Sequence, residues 1–223
     1  MQDYNIIVFD IDGTLIKEMC WEIIHRHFEI DWNKTSVNIN DYCNGKISFQ
    51  QLTDMEIELW RKSGKLPHVN EVKKALQKYT LMKNSRETID KLKREGYAIF
   101  LITYGLDILA NRIASELNID FTNVFANELK IDREGWLIGG QITRVALGKK
   151  SDVLKKIAVQ KNIPLSQFIA VGDSKYDLNM FKVAGLKIAL NPKDEEIKKA
   201  ADTVIETEDL ANILSIITPR RNR

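Results

Sequence analysis

The chain has few cysteines, no long apolar run and little net charge, and each of these features excludes a class of protein. Its two cysteines, Cys20 and Cys43, have neither the number nor the spacing of a disulfide framework or a metal-binding motif. No apolar segment approaches the roughly 20 residues that a membrane-spanning helix needs. A net charge of +2 gives no support for a nucleic-acid-binding or membrane-surface protein.

The two ends of the sequence carry no recognisable targeting or binding segment. The first residues lack an apolar stretch behind a basic start, so we expect no signal peptide and a cytoplasmic protein. We interpret the arginines near the C-terminus as a solvated end; they are Arg220, Arg221 and Arg223. The 223 residues suffice for one large domain with a small insertion. The sequence leaves the oligomeric state open between a monomer and a homodimer.

Short apolar runs alternate with amphipathic stretches along most of the chain. Residues 5–9 are mostly apolar and β-branched, which suits a strand buried on both faces. Further predicted strands lie at 97–103, 168–171, 186–190 and 203–205, with a hairpin at 124–131 and 136–142. This alternation predicts an α/β fold with a parallel sheet and right-handed crossovers.

The stretch from Lys17 to Met82 differs from the rest of the chain. It has apolar residues at helical spacing and no convincing buried strand. We therefore predict a helical insertion after the first strand. The predicted division is a core made of residues 1–16 and 83–223 and an insertion made of residues 17–82.

Three predicted strands are followed by polar side chains. Asp10 follows the first strand, Thr103 ends the second, and Asp173 follows the strand at 168–171. The carboxyl ends of parallel strands lie along one edge of a sheet, where such folds bind ligands. We therefore expect these three residues to meet in one cleft.

Four acids are expected at this edge, namely Asp10, Asp12, Asp173 and Asp177. Clustered carboxylates raise one another's pKa unless a cation neutralises them, and an all-oxygen ligand set suits Mg²⁺. The spacing of Asp173 and Asp177 predicts that both lie on one face of a helix that begins there. Lys150, at the start of its own predicted helix, would bring a positive charge to the cleft.

These residues suit phosphoryl transfer, which needs a nucleophile, charge neutralisation and positioning. An ionised Asp10 can attack phosphorus and form an aspartyl-phosphate. Asp12 can protonate the leaving oxygen and later activate water. Thr103 and the backbone around Tyr104 can donate hydrogen bonds to phosphoryl oxygens.

The motifs together resemble those of the haloacid dehalogenase superfamily of phosphohydrolases. The first motif is present as residues 10–15 (DIDGTL), Thr103 fits the second, Lys150 the third, and Gly172–Asp173 with Asp177 the fourth. The resemblance covers most of the chain and implies a Rossmann-like three-layer core in which the helical insertion is a cap over the active site.

The resemblance also implies a role for each matching residue. Asp10 would be the nucleophile and a Mg²⁺ ligand, and Asp12 the general acid and base that lends its carbonyl oxygen to the metal. Thr103 and Lys150 would hold the phosphoryl group, with Tyr104 beside them. Asp173 would bind the metal, and Asp177 would support either the metal or the lysine.

Within the superfamily the layout is most similar to that of phosphoserine phosphatases, but several specificity positions differ. The glutamate expected seven residues after Asp12 is Met19, with Glu18 one position early. The cap arginine expected to meet the substrate carboxylate falls at Asp54, which would repel phosphoserine. We therefore expect a different main substrate, a small phosphorylated metabolite, and regard Glu18, Met19 and Asp54 as candidate specificity residues.

Four functions stay open at this point. The leading hypothesis is a Mg²⁺-dependent phosphatase that hydrolyses a small phosphomonoester. A phosphotransferase or phosphomutase would pass the same intermediate to an organic acceptor, and a true phosphoserine phosphatase would ignore the altered positions. A catalytically inactive binding protein on this fold is disfavoured because the four motifs are intact.

Overall fold

The computed structural model describes residues 4–217 and shows one sheet with helices on both faces. The arginines near the C-terminus lie outside the described residues. Within them, the strands are β1 (Ile6–Phe9), β2 (Ala98–Leu106), β3 (Val124–Ile131), β4 (Leu137–Ile142), β5 (Phe168–Gly172), β6 (Leu186–Leu190) and β7 (Thr203–Ile205). Their order in the sheet is β4-β3-β2-β1-β5-β6-β7. All neighbours are parallel except β3 and β4, so the predicted α/β fold and hairpin are confirmed.

The helices fall into a group between β1 and β2 and a group spread over the rest of the chain. Those of residues 4–217 are α1 (Cys20–His27), α2 (Trp32–Cys43), α3 (Phe49–Glu58), α4 (Val69–Ala75), α5 (Ser85–Arg94), α6 (Asp107–Glu116), α7 (Lys150–Lys161), α8 (Leu178–Phe181) and α9 (Glu195–Ala200). None of the helices in this part of the chain is long and apolar enough to cross a membrane.

The buried strand β1 lies at the centre of two apolar layers. Its side chains alternate between faces, so Ile7 and Phe9 join one cluster and Ile6 and Val8 the other. Helices α5 and α6 cover the first face, and α7, α8 and α9 cover the second. This arrangement is the predicted three-layer core, and it leaves the carboxyl ends of the strands open for a site.

Helices α1 to α4 lie in the interval 17–82 that the sequence assigns to the cap, and the division into domains stays a prediction. They do not stand apart from the core. The backbone N–H of Val69 donates to the Gly135 carbonyl at 2.8 Å, and that of Leu137 donates to the Pro67 carbonyl at 3.1 Å. Thr143 Oγ1 donates to Gln50 Oε1 on α3 at 3.1 Å. The cap therefore rests on the β3–β4 hairpin.

Candidate active site

The register of the sheet brings the predicted residues to one edge. Phe9 in β1 pairs with Leu101 in β2 and with Val171 in β5. Asp10 and Asp173, which follow these strands, are both buried. Thr103 is also buried, although β2 continues to Leu106, so the prediction that Thr103 ends its strand is wrong. Carboxylate oxygens of Asp10 and Asp173 lie within 4.8 Å of each other, and Thr103 is linked to this edge by its hydrogen bond to Asp12.

Lys150 is the centre of the buried charges. It is the first residue of α7 and is 1% exposed. Its Nζ contacts Asp10 Oδ1 and lies 2.6 Å from Asp177 Oδ1. Burial lowers the pKa of Lys150, but the Asp10 and Asp177 carboxylates outweigh burial and raise it above its usual value. The lysine therefore stays charged, as a group that balances phosphoryl charge must.

The carboxylates at the sheet edge are held in an environment that opposes ionisation. Burial raises the pKa of Asp10 well above its usual range; Lys150 lowers it in part, and the other acids raise it again. Burial and the nearby Asp177 raise the pKa of Asp173 to about 6. Added positive charge at this point would favour the ionised form of both side chains.

Asp12 is oriented by two hydrogen bonds that come from opposite sides. Its Oδ1 accepts from the backbone N–H of Cys20 at 2.7 Å, and its Oδ2 accepts from Thr103 Oγ1 at 2.8 Å. Burial raises its pKa, and the two hydrogen bonds oppose this effect. A carboxyl with a raised pKa suits proton transfer to a leaving oxygen.

The side chains of Thr103 and Tyr104 contact other residues of the site, and phosphate binding by Thr103 and by the backbone around Tyr104 stays a prediction. The single hydroxyl hydrogen of Thr103 is directed to Asp12, so in this arrangement it is not available to a phosphoryl oxygen. The Gly105 N–H donates to Thr103 Oγ1 at 2.9 Å. The Tyr104 ring lies 4.7 Å from Lys150 Nζ, and its hydroxyl accepts from the Gly148 N–H at 3.0 Å. Both residues therefore position the acid and the lysine.

Asp177 is positioned by the backbone of its own turn. Its Oδ2 accepts from the N–H groups of Asp173 at 3.0 Å and Ser174 at 3.3 Å, while Oδ1 faces Lys150. The predicted shared helix face for Asp173 and Asp177 is wrong, because Asp173 precedes a 3₁₀ turn at Lys175–Asp177. With both oxygens engaged, the contacts of Asp177 favour support of the lysine over metal binding.

The donor set fits a hard divalent cation. Carboxylate oxygens of Asp10, Asp173 and Asp177 lie within 4.8 Å of one another. Four buried or half-buried acids, counting Asp12, face two ammonium groups, those of Lys150 and Lys193. The acids outnumber the ammonium groups by two, so this oxygen-rich site fits a hard cation such as Mg²⁺, which prefers oxygen ligands.

Sequence reasoning missed Lys193. Its Nζ lies 2.8 Å from Asp173 Oδ2, and Asp173 raises the pKa of Lys193 against the lowering effect of burial. Lys193 follows β6 by three residues, so the strand-end rule that identified Asp10 could have identified it.

Gly13 adopts φ +80°, and a Cβ there would lie 2.2 Å from the same Asp173 oxygen, so the first motif needs glycine at this position.

The three predicted specificity residues have separate locations. Met19 lines the cleft, and its role in substrate specificity stays a prediction. Glu18 instead accepts from the backbone N–H of Thr80 at 2.8 Å and from its hydroxyl at 3.0 Å. Asp54 accepts from Gln50 Nε2 at 2.7 Å and faces Gly140 of β4, outside the cleft. The structure therefore does not bring Glu18 or Asp54 to the substrate.

A cavity of about 440 Å³ lies between the sheet edge and the cap. Asp10, Asp12, Lys150 and Asp173 form its floor. The cap contributes mostly apolar side chains, together with the acids Glu22 and Glu56. This space is of small-molecule size, with acids and a lysine on one side and the cap on the other.

Comparisons with known proteins identify the family of this chain. A family model described as haloacid dehalogenase-like hydrolase matches residues 7–182. The phosphoserine phosphatase of Methanocaldococcus jannaschii is 34% identical over 216 residues, which are 96% of this chain and 97% of that protein. The phosphoserine phosphatase of Archaeoglobus fulgidus is 28% identical over 97% of this chain and 60% of its own length.

Solved structures give the same result. A substrate-bound phosphoserine phosphatase complex superposes with a TM-score of 0.81 at 32% identity, covering 98% of this chain and all of that one. A phospho-aspartyl intermediate analogue of phosphoserine phosphatase also has a TM-score of 0.81 at 32% identity, covering 97% of this chain and all of that one. The chain therefore belongs to the haloacid dehalogenase-like hydrolases and is a phosphoric monoester hydrolase similar to the phosphoserine phosphatases.

Proposed function

We propose that the protein is a Mg²⁺-dependent phosphatase that hydrolyses a small-molecule phosphomonoester through an aspartyl-phosphate on Asp10. The observation that carries this proposal is the position of the buried Asp10 carboxylate at the end of β1, with Lys150 in contact and Asp12 two residues away. A nucleophile, a fixed positive charge and a proton donor are thus in one cavity.

The first half of the reaction transfers the phosphoryl group to the protein. An Asp10 oxygen forms a bond to phosphorus, and the bond between phosphorus and the leaving oxygen breaks. Asp12, held by Thr103 and Cys20, gives its proton to that oxygen, so the product leaves as a neutral alcohol. Lys150 balances the charge that develops on the phosphoryl oxygens.

The second half regenerates the carboxylate. Asp12, now ionised, takes a proton from water as the water oxygen attacks phosphorus, and the bond between phosphorus and Asp10 breaks. Asp10, Asp173 and the Asp12 carbonyl are the proposed Mg²⁺ ligands, with Asp177 as a less favoured fourth. When bound, the ion supplies charge neutralisation to the transferring group.

Phosphoserine phosphatase is a second candidate, because the relatives and structural neighbours named above carry that activity. The cap argues against it, since none of its cavity-lining residues in the described chain is Lys or Arg. A carboxylate on the substrate would face Glu22 and Glu56 without a cap cation. Turnover of phosphoserine compared with other esters separates the two functions.

The test of the chemistry uses p-nitrophenyl phosphate with Mg²⁺ and with EDTA. Asp10→Asn is expected to lower turnover by at least about 10³-fold, because the amide is a poor nucleophile. Asp90→Asn serves as the control: it removes a partly exposed carboxylate on α5 and is expected to keep wild-type turnover. Wild-type activity in Asp10→Asn would sink the assignment. Release of free phosphate, without phosphorylation of added alcohols, distinguishes hydrolysis from phosphotransfer.

A further inference from the structure

The cap wall of the cavity contains a buried carboxylate that the proposed reaction does not use. Glu56 lies on α3, is 5% exposed and lines the cavity. Its Oε1 accepts a hydrogen bond from Asn38 Nδ2 of α2 at 2.7 Å. Its Oε2 is buried and has no hydrogen-bond partner among the described residues. A buried carboxylate in this state is costly unless a ligand supplies the missing partner.

The neighbouring histidine does not supply a positive charge. His25 Nε2 lies 2.9 Å from Glu56 Oε2, but the geometry is not that of a hydrogen bond. His25 Nδ1 accepts a hydrogen bond from Trp60 Nε1 at 3.1 Å. The indole nitrogen can only donate, so His25 Nδ1 carries no hydrogen in this arrangement; the imidazole is neutral, and its single N–H is at Nε2, near Glu56 Oε2 but not aligned with it. Glu56 therefore faces neutral groups.

The lysines that line the cavity are also placed away from Glu56. Lys150 and Lys193 each contact aspartates of the sheet edge. Lys175 is exposed, and its Nζ lies 5.6 Å from the centre of the Tyr176 ring. Among the ion pairs of residues 4–217, none joins Glu56 to a lysine or an arginine. The negative charge of Glu56 has no cation within the described protein.

Most of the rest of the cap wall is apolar and aromatic, and its polar members are Glu22, His25, Thr35 and Thr53. The side chains that line it beside Glu56 include Trp21, Ile39, Tyr42, Phe49 and Leu52. Such a surface favours burial of a hydrocarbon or aromatic body, because water is released from both surfaces. It also offers few hydrogen-bond donors to a second anionic group.

We infer that the substrate is a phosphomonoester whose alcohol carries an ammonium group on an apolar body and lacks a carboxylate. The inference rests on the proposed phosphatase function. The phosphoryl group meets Asp10 and Lys150, the apolar body meets the aromatic wall, and the ammonium donates to Glu56 Oε2. Glu56 is then a specificity-determining residue, and the ligand supplies the partner that Oε2 lacks.

The test on the wild-type protein uses two matched pairs of esters. O-phosphoethanolamine differs from O-phosphoserine by the carboxylate alone. The phosphate ester of tyramine differs from 4-ethylphenyl phosphate by the amine alone. We expect kcat/KM to be about tenfold or more higher for the first member of each pair, because phosphoserine brings a carboxylate towards the acidic cap and 4-ethylphenyl phosphate lacks one charged hydrogen bond. Equal values within both pairs, or a preference for phosphoserine, would overturn the inference.

The test on the residue uses Glu56→Gln, which removes the charge at nearly constant volume. We expect the ratio of kcat/KM between tyramine phosphate and 4-ethylphenyl phosphate to fall about tenfold, mainly through KM. Glu58→Gln is the control, since Glu58 is exposed on the same helix and pairs with Arg61 at 2.8 Å. A ratio that stays at the wild-type value in Glu56→Gln contradicts the assignment.

The two proposals fail in different ways. If no ester is hydrolysed with Mg²⁺ present, the phosphatase function itself is wrong. If 4-ethylphenyl phosphate is hydrolysed through Asp10 but the amine brings no advantage, only the substrate inference is wrong. Thermal denaturation of each variant shows whether it is folded, and the wild-type comparison holds even if Glu56→Gln does not fold.

Discussion

Thr103 Oγ1 donates a hydrogen bond of 2.8 Å to Asp12 Oδ2 and so joins the second strand to the proposed acid. The same hydroxyl oxygen accepts from the Gly105 N–H, which defines the direction of its hydrogen. The motif position expected to bind phosphate therefore contacts the proposed general acid. This relationship, together with the contacts of Lys150, Asp173 and Glu18, leads to four predictions in addition to those above.

Thr103→Val removes this hydrogen bond while keeping the β-branched shape. We expect kcat to fall about 10-fold or more with little change in KM, because a misoriented acid loses part of its contribution to catalysis. Thr103→Ser keeps the hydroxyl and is expected to restore most of kcat. A larger effect on KM than on kcat would instead indicate direct contact with the substrate phosphate. Steady-state kinetics with p-nitrophenyl phosphate gives both values.

Lys150→Met leaves Asp10 and Asp177 buried without their shared cation. We expect the free energy of unfolding in EDTA to fall by about 3–5 kcal/mol, as is usual when one partner of a buried ion pair is removed. Urea denaturation measures this change. Lys155→Met is the control, because Lys155 lies on the same helix and pairs with Asp152 at 3.5 Å in an exposed position. Its effect should be within about 1 kcal/mol.

Mg²⁺ is expected to raise the melting temperature of the wild-type protein. A bound cation relieves the repulsion among Asp10, Asp173 and Asp177, and saturation at about 100 times Kd adds about 2.7 kcal/mol to stability. Asp173→Asn removes one proposed ligand and should reduce the shift, while Asp152→Asn, an exposed change, should not. Differential scanning fluorimetry over a Mg²⁺ titration measures the shift, and an unchanged shift in Asp173→Asn would argue against this ligand.

Glu18→Gln tests the structural role of this residue. Glu18 accepts two hydrogen bonds from Thr80, so the change is expected to lower the free energy of unfolding by about 1 kcal/mol. The ratio of kcat/KM between phosphoethanolamine and phosphoserine should stay within about twofold of wild type. Thr80→Val should lower stability similarly, and the double variant should show coupling. A changed ratio would indicate that Glu18 contacts the substrate.

The strand ends were the most predictable part of the site. Asp10 and Asp173 follow apolar runs in the sequence, and carboxylates do not fit a core, so they had to lie at the sheet edge. The predicted edges of β1 and β5 agree with the structure to within a residue. Lys193 follows β6 in the same way, but it lies three residues beyond the end of the strand and was therefore not identified.

The cap was less predictable because its residues had to be assigned to a helix face. Asp54 and Glu56 are two positions apart on α3, which is about 200° around the helix axis. Asp54 therefore faces Gly140 of the hairpin, and Glu56 faces the cavity. Glu18 precedes α1, which begins at Cys20, so the helix does not determine the direction of its side chain. That side chain accepts a hydrogen bond from Thr80.

The sequence by itself determined the α/β fold and led to the chemistry proposed at Asp10, since apolar runs, their order along the chain and motif residues can all be read from the sequence. Only the tertiary structure decided which donors each carboxylate has. Thr103 donates a hydrogen bond to Asp12, and Asp177 accepts one from Lys150. Among residues 4–217, Glu56 Oε2 was left without a hydrogen-bond partner. Such pairings depend on distances of a few ångströms between residues far apart in the chain, which spacing in a sequence does not specify.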